Sequence, residues 1–266
     1  MNMDAGDLGN ACVGLDDEAM AELRAIADRY RSANGLLMRL AGWAGQRAER
    51  VTARLPAAVQ AAIGEAAALA LRQSYAVAFA TQGSAEGSVP SRALRRLRGE
   101  VAHRVFTGIS GALGGLGGVA TTLVDLPVTT TLILRSVQQI ARDYGEDLTD
   151  PAVRAQCVAV FALGGPLGEA DAAETGLFAS RLALGGKTLA DIIRVAAPRF
   201  GVVLGEKALA QATPLLGALA GGAINPIFTG YYQAMAHVHF RLRRLERDAD
   251  AEQVRACFER IVRARG

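Results

Sequence analysis

The stretch VFTGISGALGGLGGVATTLVDLPVTTTLILRSVQQIA, residues 105–141, decides the fold class. Between Arg104 and Arg135 its thirty residues carry one charge, Asp125, and the half before that acid is dense in glycine. Three structures suit such a run: the phosphate-cradling loop of a dinucleotide site, a membrane hairpin, or helices packed backbone to backbone. The first draws on Thr107, Gly108, Gly111 and Gly114, which nearly match TGxxxGxG, and on Gly115, Gly117 and Ala120, a loose GxGxxA. In that mechanism glycines turn a buried strand sharply into a helix so that backbone amides reach a pyrophosphate. Here Glu100, His103 and Arg104 precede the glycines instead of a strand, and no tyrosine has a lysine four residues on. The dinucleotide reading fails.

The membrane reading rests on residues 105–124, which carry no charge, and on a second charge-free run, residues 208–236. The first is long enough to span. Glycine, alanine and threonine carry little transfer energy, however, and the second run is broken by Pro214, Asn225 and Pro226. Packing explains more. Gly111 with Gly115, and Gly114 with Gly118, are small-xxx-small pairs that admit a second helix at close range. Each glycine costs about 1 kcal/mol of helix propensity relative to alanine, a cost that tight contact offsets. A buried helical hairpin in a soluble bundle is therefore favoured over a lipid-inserted one.

Working outward, hydrophobic residues make up 51% of the 266 and aromatics only 5%, so the apolar mass is alanine, leucine and valine. That composition, with no period-two alternation bounded by turns, predicts an all-α chain. The expected architecture is a multi-helix bundle with two glycine-rich apolar helical hairpins and no significant β-sheet. Asp16 caps a first helix that should stop near Asn34-Gly35, a second helix runs to about Leu55, and Pro56 opens a third. The segment TQGSAEGSVPS, residues 81–91, reads as a linker, dividing an N-terminal helical region, 1–90, from a second helical domain, 91–266. Beyond it, Pro127 opens a helix ending at Tyr144-Gly145, with Asp125 as cap and hinge before it. Asp150-Pro151 caps the next helix, others carry EADAAETGLFASRLAL and FGVVLGEKALAQA, and Asn225-Pro226 opens the long IFTGYYQAMAHVHFRLRRLER helix.

Cys12, Cys157 and Cys257 are far apart, odd in number and free of any CxxC pair, so the pattern implies neither a disulfide framework nor a zinc site. A reducing cytoplasm fits, and the acidic N-terminus lacks the basic and apolar regions of a secretory signal. Net charge is only +3, and the arginines lack interleaved aromatics, which argues against nucleic acid. Of 29 basic residues, Lys187 and Lys207 are the only lysines. The arginine clusters Arg92, Arg95, Arg96, Arg98 and Arg104, and Arg241, Arg243, Arg244 and Arg247, would suit anionic headgroups as well as a solvated helix face.

His103-Arg104, SGALGGLGG, DLPVTTTLILRSVQQIARDYGEDL, VFALGG, AETGLFASR, FGVVLGEKALAQATPLLGALAGGAIN and MAHVHFRLRRLER together resemble the EcsC family over roughly Glu100 to Arg247. The preceding hundred residues match only as generic helix. The stretch between Arg181 and Phe200 looks short for the family, and Leu177-Phe178 stands where a pair of tyrosines is usual. The resemblance implies no reaction. Its namesake is encoded beside ABC transporter subunits, which implies a membrane-linked accessory role, on the cytoplasmic side and peripheral to the inner face of the membrane. The partner would be an anionic membrane surface or a membrane protein.

Candidates for chemistry are His103, Asp125, Glu174, Lys207 and His239, ionisable groups inside apolar helices; His103 and His239 lie in the matching family phrases. Arg181 and Asn225, with Arg92, Arg95 and Arg96, are binding candidates, and Glu174 and Arg181, seven apart, share a helix face. His237 and His239, two apart, point to opposite sides of a helix and do not ligate one ion. No metal or other cofactor is expected. Cys157 reads as a core residue, and no nucleophile motif is present. The reading of choice is a non-enzymatic accessory or scaffold protein; the alternative is a metal-dependent or acid/base hydrolase built on the five ionisable candidates.

Overall fold

A computed structural model describes residues 12–52, 57–80, 119–163, 181, 187–210 and 214–263. Among them the chain forms seven α-helices and one 3-10 turn, with no strand. The helices are α1 (Asp17–Thr52), α2 (Ala57–Ala80), α3 (Val119–Asp143), α4 (Pro151–Ala159), α5 (Leu189–Ala210), α6 (Pro214–Asp248) and α7 (Ala251–Arg263). The all-α expectation holds.

Several ends follow from local chemistry. Asp16 Oδ1 accepts from the Ala19 amide at 2.7 Å and opens α1, where Asp17 and Glu18 face the positive end of the helix dipole. Asp150 Oδ1 does the same for Ala152 at 2.8 Å, with Pro151 in the first turn of α4. Asp250 Oδ1 caps α7 through the Gln253 amide at 2.8 Å. At the end of α3 Gly145 takes φ +76°, a left-handed conformation that only glycine adopts without strain. Its amide reaches the Arg142 carbonyl at 2.9 Å and the Glu146 amide reaches the Ala141 carbonyl at 3.0 Å, the paired bonds of a Schellman ending.

Other expected ends are corrected. α1 does not stop at Asn34-Gly35, because Gly35 stays right-handed and the helix formers on both sides outweigh its cost of about 1 kcal/mol. The second helix expected to end near Leu55 is thus the continuation of α1. Asp125 is not a hinge: α3 begins at Val119 and runs through Asp125 and Pro127. Likewise α6 begins at Pro214 and carries Pro226 in its interior, so Asn225-Pro226 is not a helix opening. A proline removes one rung of backbone bonding and clashes locally, yet both helices continue on either side of it. α5 starts at Leu189, well before Phe200, on a cap in which Thr188 Oγ1 accepts from the Asp191 amide at 3.3 Å and its hydroxyl donates to Asp191 Oδ2 at 2.6 Å. The linker at 81–91, the segment EADAAETGLFAS and the glycines Gly111, Gly114, Gly115 and Gly118 lie outside the described residues.

One core runs through all the described helices. α6 packs against α1, α3, α5 and α7, while α2 lies on α3 and α5. Buried positions recur at helical spacing: Leu23, Ile26, Ala27, Tyr30 and Ala33 on α1, and Val254, Cys257, Phe258, Ile261 and Val262 on α7. Phe161, in the 3-10 turn Val160–Ala162, meets Phe200 of α5 at 5.1 Å and Tyr232 of α6 at 4.8 Å, knitting three elements. No helix, among the described residues, is long and apolar enough to cross a membrane.

The cysteine reading is also corrected, since Cys12 and Cys257 form a disulfide across 245 residues of sequence. Spacing along the chain carries no information about two residues whose helices fold back side by side; α7 packs on α1. Cys157 is free and fully buried, as a core residue.

Two substitutions test this framework by urea denaturation. Asp150→Ala should cost about 1 kcal/mol through its lost cap, and Phe161→Ala about 3–5 kcal/mol through a cavity at the three-way aromatic contact. Equal, near-zero effects would contradict the assignment of these two roles.

Candidate functional site

The polar centre is built on the last three turns of α6, where HVHFRLRRLER puts four arginines, two histidines and one acid on a helix whose other face is core. A guanidinium drawn toward an apolar interior needs a carboxylate, and each of the four finds one outside its own helix. Arg241 Nε donates to Glu22 Oε1 of α1 at 2.7 Å and its NH2 group pairs with Oε2, while Arg244 adds a contact to Oε1 at 3.1 Å. Arg243 grips Glu146 in bidentate fashion at 2.9 and 3.1 Å, and Arg247 reaches the same carboxylate at 2.6 Å. Glu146 stands directly after Gly145, so the left-handed turn ending α3 is what aims this acid at α6.

The third carboxylate, Glu246, comes from α6 itself. Arg181 binds both its oxygens, at 3.1 and 3.0 Å, and Arg255 of α7 adds a bond to Oε1 at 3.0 Å. Arg181 is also placed against His239: its Nε donates to His239 Nδ1 at 3.2 Å, and Gln156 Oε1 of α4 lies 3.0 Å from His239 Nε2. An arginine nitrogen only donates, so Nδ1 is an acceptor and the ring proton sits on Nε2, donated to Gln156. Burial first, then the charges of Arg181 and Arg243, hold the imidazole well below its ordinary value of 6.5. His239 is therefore a neutral ring with both nitrogens engaged. Burial likewise lowers Arg181, which Glu246 opposes.

For Glu22 the Arg241 hydrogen bond is the largest influence and outweighs burial, leaving the acid below its usual range. For Glu146 burial is the largest single influence and acts upward, but Arg243 and Arg247 together overcome it. Beside them the Tyr144 hydroxyl meets His237 Nδ1 at 2.8 Å, and the Arg244 guanidinium lies 5.4 Å from the centre of the Tyr144 ring. Burial pushes the Cys157 thiol far up, so it stays protonated and unreactive.

Of the sequence candidates, the structure joins His239 to Arg181. His103, Glu174, Arg92, Arg95 and Arg96 lie outside the described residues, as do the side chains of Asp125, Lys207 and Asn225. Among the described residues, no three His, Cys, Asp or Glu side chains are grouped to hold a metal ion. Sequence reading missed Gln156, Glu246, Glu146 and Glu22. Glu246 had a signal, being the one acid inside RLRRLER, and so did Glu146, placed directly after a helix-ending glycine.

A model of the EcsC protein family matches residues 18–245, a span that takes in α1 and α2 as well as the later helices. The resemblance read over roughly Glu100 to Arg247 thus extends to the N-terminal helices, which had matched only as generic helix. No curated protein and no solved structure gives a significant match.

The neutral state of His239 sets a pH dependence. Below 6.5 the unfolded chain takes up a proton that the folded ring refuses, so this contribution to stability is full above 6.5 and is lost as pH falls toward the depressed folded value. Denaturation midpoints should therefore fall as pH drops below 6.5, and in His239→Gln that slope should flatten. An unchanged slope in the variant would place the sensitive group elsewhere.

Proposed function

The chain belongs to the EcsC protein family, and from that premise we propose that it is a non-enzymatic accessory or scaffold protein that associates peripherally with an anionic membrane surface. The observation that carries the proposal is the pairing pattern on α6. Among the described residues, three carboxylates, Glu22, Glu146 and Glu246, each hold two arginines, so the pairs of each cluster count one more cation than anion. The inner arginine of each pair fixes the fold. The outer ones, Arg244, Arg247 and Arg255, are 44%, 45% and 39% exposed and present the surplus charge to solvent.

The same pattern argues for a scaffold over a catalyst, because His239, the acid/base candidate on α6, has both nitrogens bound within the protein. An arginine at an anionic surface contributes about 1 kcal/mol, so a few of them give weak, reversible and salt-sensitive adhesion. A membrane-embedded partner, such as the transporter subunits that the family resemblance implies, would add the specificity that charge alone does not supply.

Co-sedimentation with vesicles tests this. The chain should pellet with phosphatidylserine-containing vesicles at low salt and be released at high salt, and it should ignore pure phosphatidylcholine. Arg244→Gln with Arg247→Gln should weaken binding roughly 30-fold at about 1 kcal/mol each. Failure to pellet with anionic vesicles at low salt would sink the membrane proposal.

A further inference from the structure

The surroundings of the Cys12–Cys257 bond are built for it. Gly14 takes φ +97°, in the left-handed region open to glycine, and the Leu15 amide returns to the Cys12 carbonyl at 3.4 Å. This turn brings the chain back from the start of α1 onto α7. Gly14 stands over Gln253, whose Oε1 would lie 3.1 Å from a Cβ at that position, and Cys12 is bonded to Cys257, one helical turn further along. The segment Cys12–Gly14 therefore runs along one face of α7. Met20 of α1 closes the third side, its Sδ 3.5 Å from Cys257 Sγ.

Neither helix depends on the bond. α7 is docked by Val254, Phe258, Ile261 and Val262, by the edge-on contact of Tyr30 with Phe258 at 6.4 Å, and by Arg255 on Glu246. It has its own cap in Asp250, as α1 has in Asp16. Opening the bond therefore removes the covalent tether of the short lead Cys12–Leu15, leaving it only the packing of Cys12 and Leu15 on the core, and keeps the docking of both helices in place. The two residues also differ in burial: Cys12 is partly exposed, whereas Cys257 is fully buried.

We propose that Cys12 and Cys257 form a thiol–disulfide exchange site for a small-molecule thiol of the glutathione class, a clasp whose opening releases the lead into α1 while the helical body stays folded. In the opening direction a glutathione thiolate attacks the sulfur of Cys12, the less buried of the two residues. The protein disulfide breaks, Cys257 leaves as a thiolate that takes up a proton, and a mixed disulfide remains on Cys12. A second glutathione thiolate attacks that mixed disulfide and frees the Cys12 thiol. The protein bond is thus reduced to two thiols, and two glutathione thiols are oxidised to one glutathione disulfide. Closure is the reverse, with glutathione disulfide as the oxidant.

The test uses the full chain under native conditions, treated first with glutathione and then with glutathione disulfide, acid-quenched, unfolded and labelled with a maleimide of high mass. The closed form should show one reactive thiol, that of Cys157, and the open form all three. The count should rise and return with the two treatments, and thermal unfolding should remain cooperative throughout. Limited proteolysis within the Cys12–Leu15 lead should accelerate roughly tenfold on opening, and Cys12→Ser should show the fast rate under both treatments. The proposal is overturned by a count that stays at one or at three throughout, by loss of cooperative unfolding on opening, or by cleavage of the lead that ignores the redox state.

Discussion

Setting the arginine-rich end of a 35-residue helix against an apolar core leaves each inward guanidinium one tolerable solution, a carboxylate delivered to it. The rest of the described architecture answers to that constraint. α1 is fixed against α6 by Glu22, the end of α3 by Glu146, and α7 by Arg255 on Glu246. Arg181 is the extreme case, its side chain 8% exposed, and it is satisfied by Glu246 and His239 together. Hydrophobic contact along α6 supplies the bulk of the stabilisation, and the ion pairs choose which neighbour lies where.

This division of labour recasts the residues singled out in the sequence. The arginines of α6 had read from sequence as a cluster suited to anionic headgroups or to a solvated helix face. In the fold all four pair with carboxylates, and Arg244 and Arg247 differ from the inner two in keeping their guanidiniums largely exposed. His239 is changed in the same way: an imidazole between an arginine and a glutamine amide is a neutral connector of α4 to the arginine cluster, with no nitrogen left over for proton transfer.

Much of the fold was legible in the sequence because it depends on local chemistry. Asp16, Asp150 and the Tyr144-Gly145 ending announce themselves through side-chain caps and a left-handed glycine. Asp125-Pro127, Asn225-Pro226 and Asn34-Gly35 misled because they are the same kind of signal set inside helices that continue past them, and a boundary residue does not reveal the length of the helix around it. The candidate site was half legible. His239 and Arg181 stood out as polar groups in apolar helices, whereas Glu22, Glu146 and Gln156 come from distant elements and become partners only when α6 is docked. Cys12 and Cys257 were illegible for a related reason, being joined by the packing of α7 on α1.

The central claim is that buried charge pairs fix the neighbours of α6, and a double-mutant cycle on Arg181 and Glu246 tests it most directly. Arg181→Met, Glu246→Gln and the double variant would be compared by urea denaturation. The account predicts that each single change is strongly destabilising because it strands a buried partner, and that the double change costs less than their sum by about 2 kcal/mol. Additive effects within about 0.5 kcal/mol would contradict it, since they would show the two residues contributing independently and the helices held by apolar contact alone.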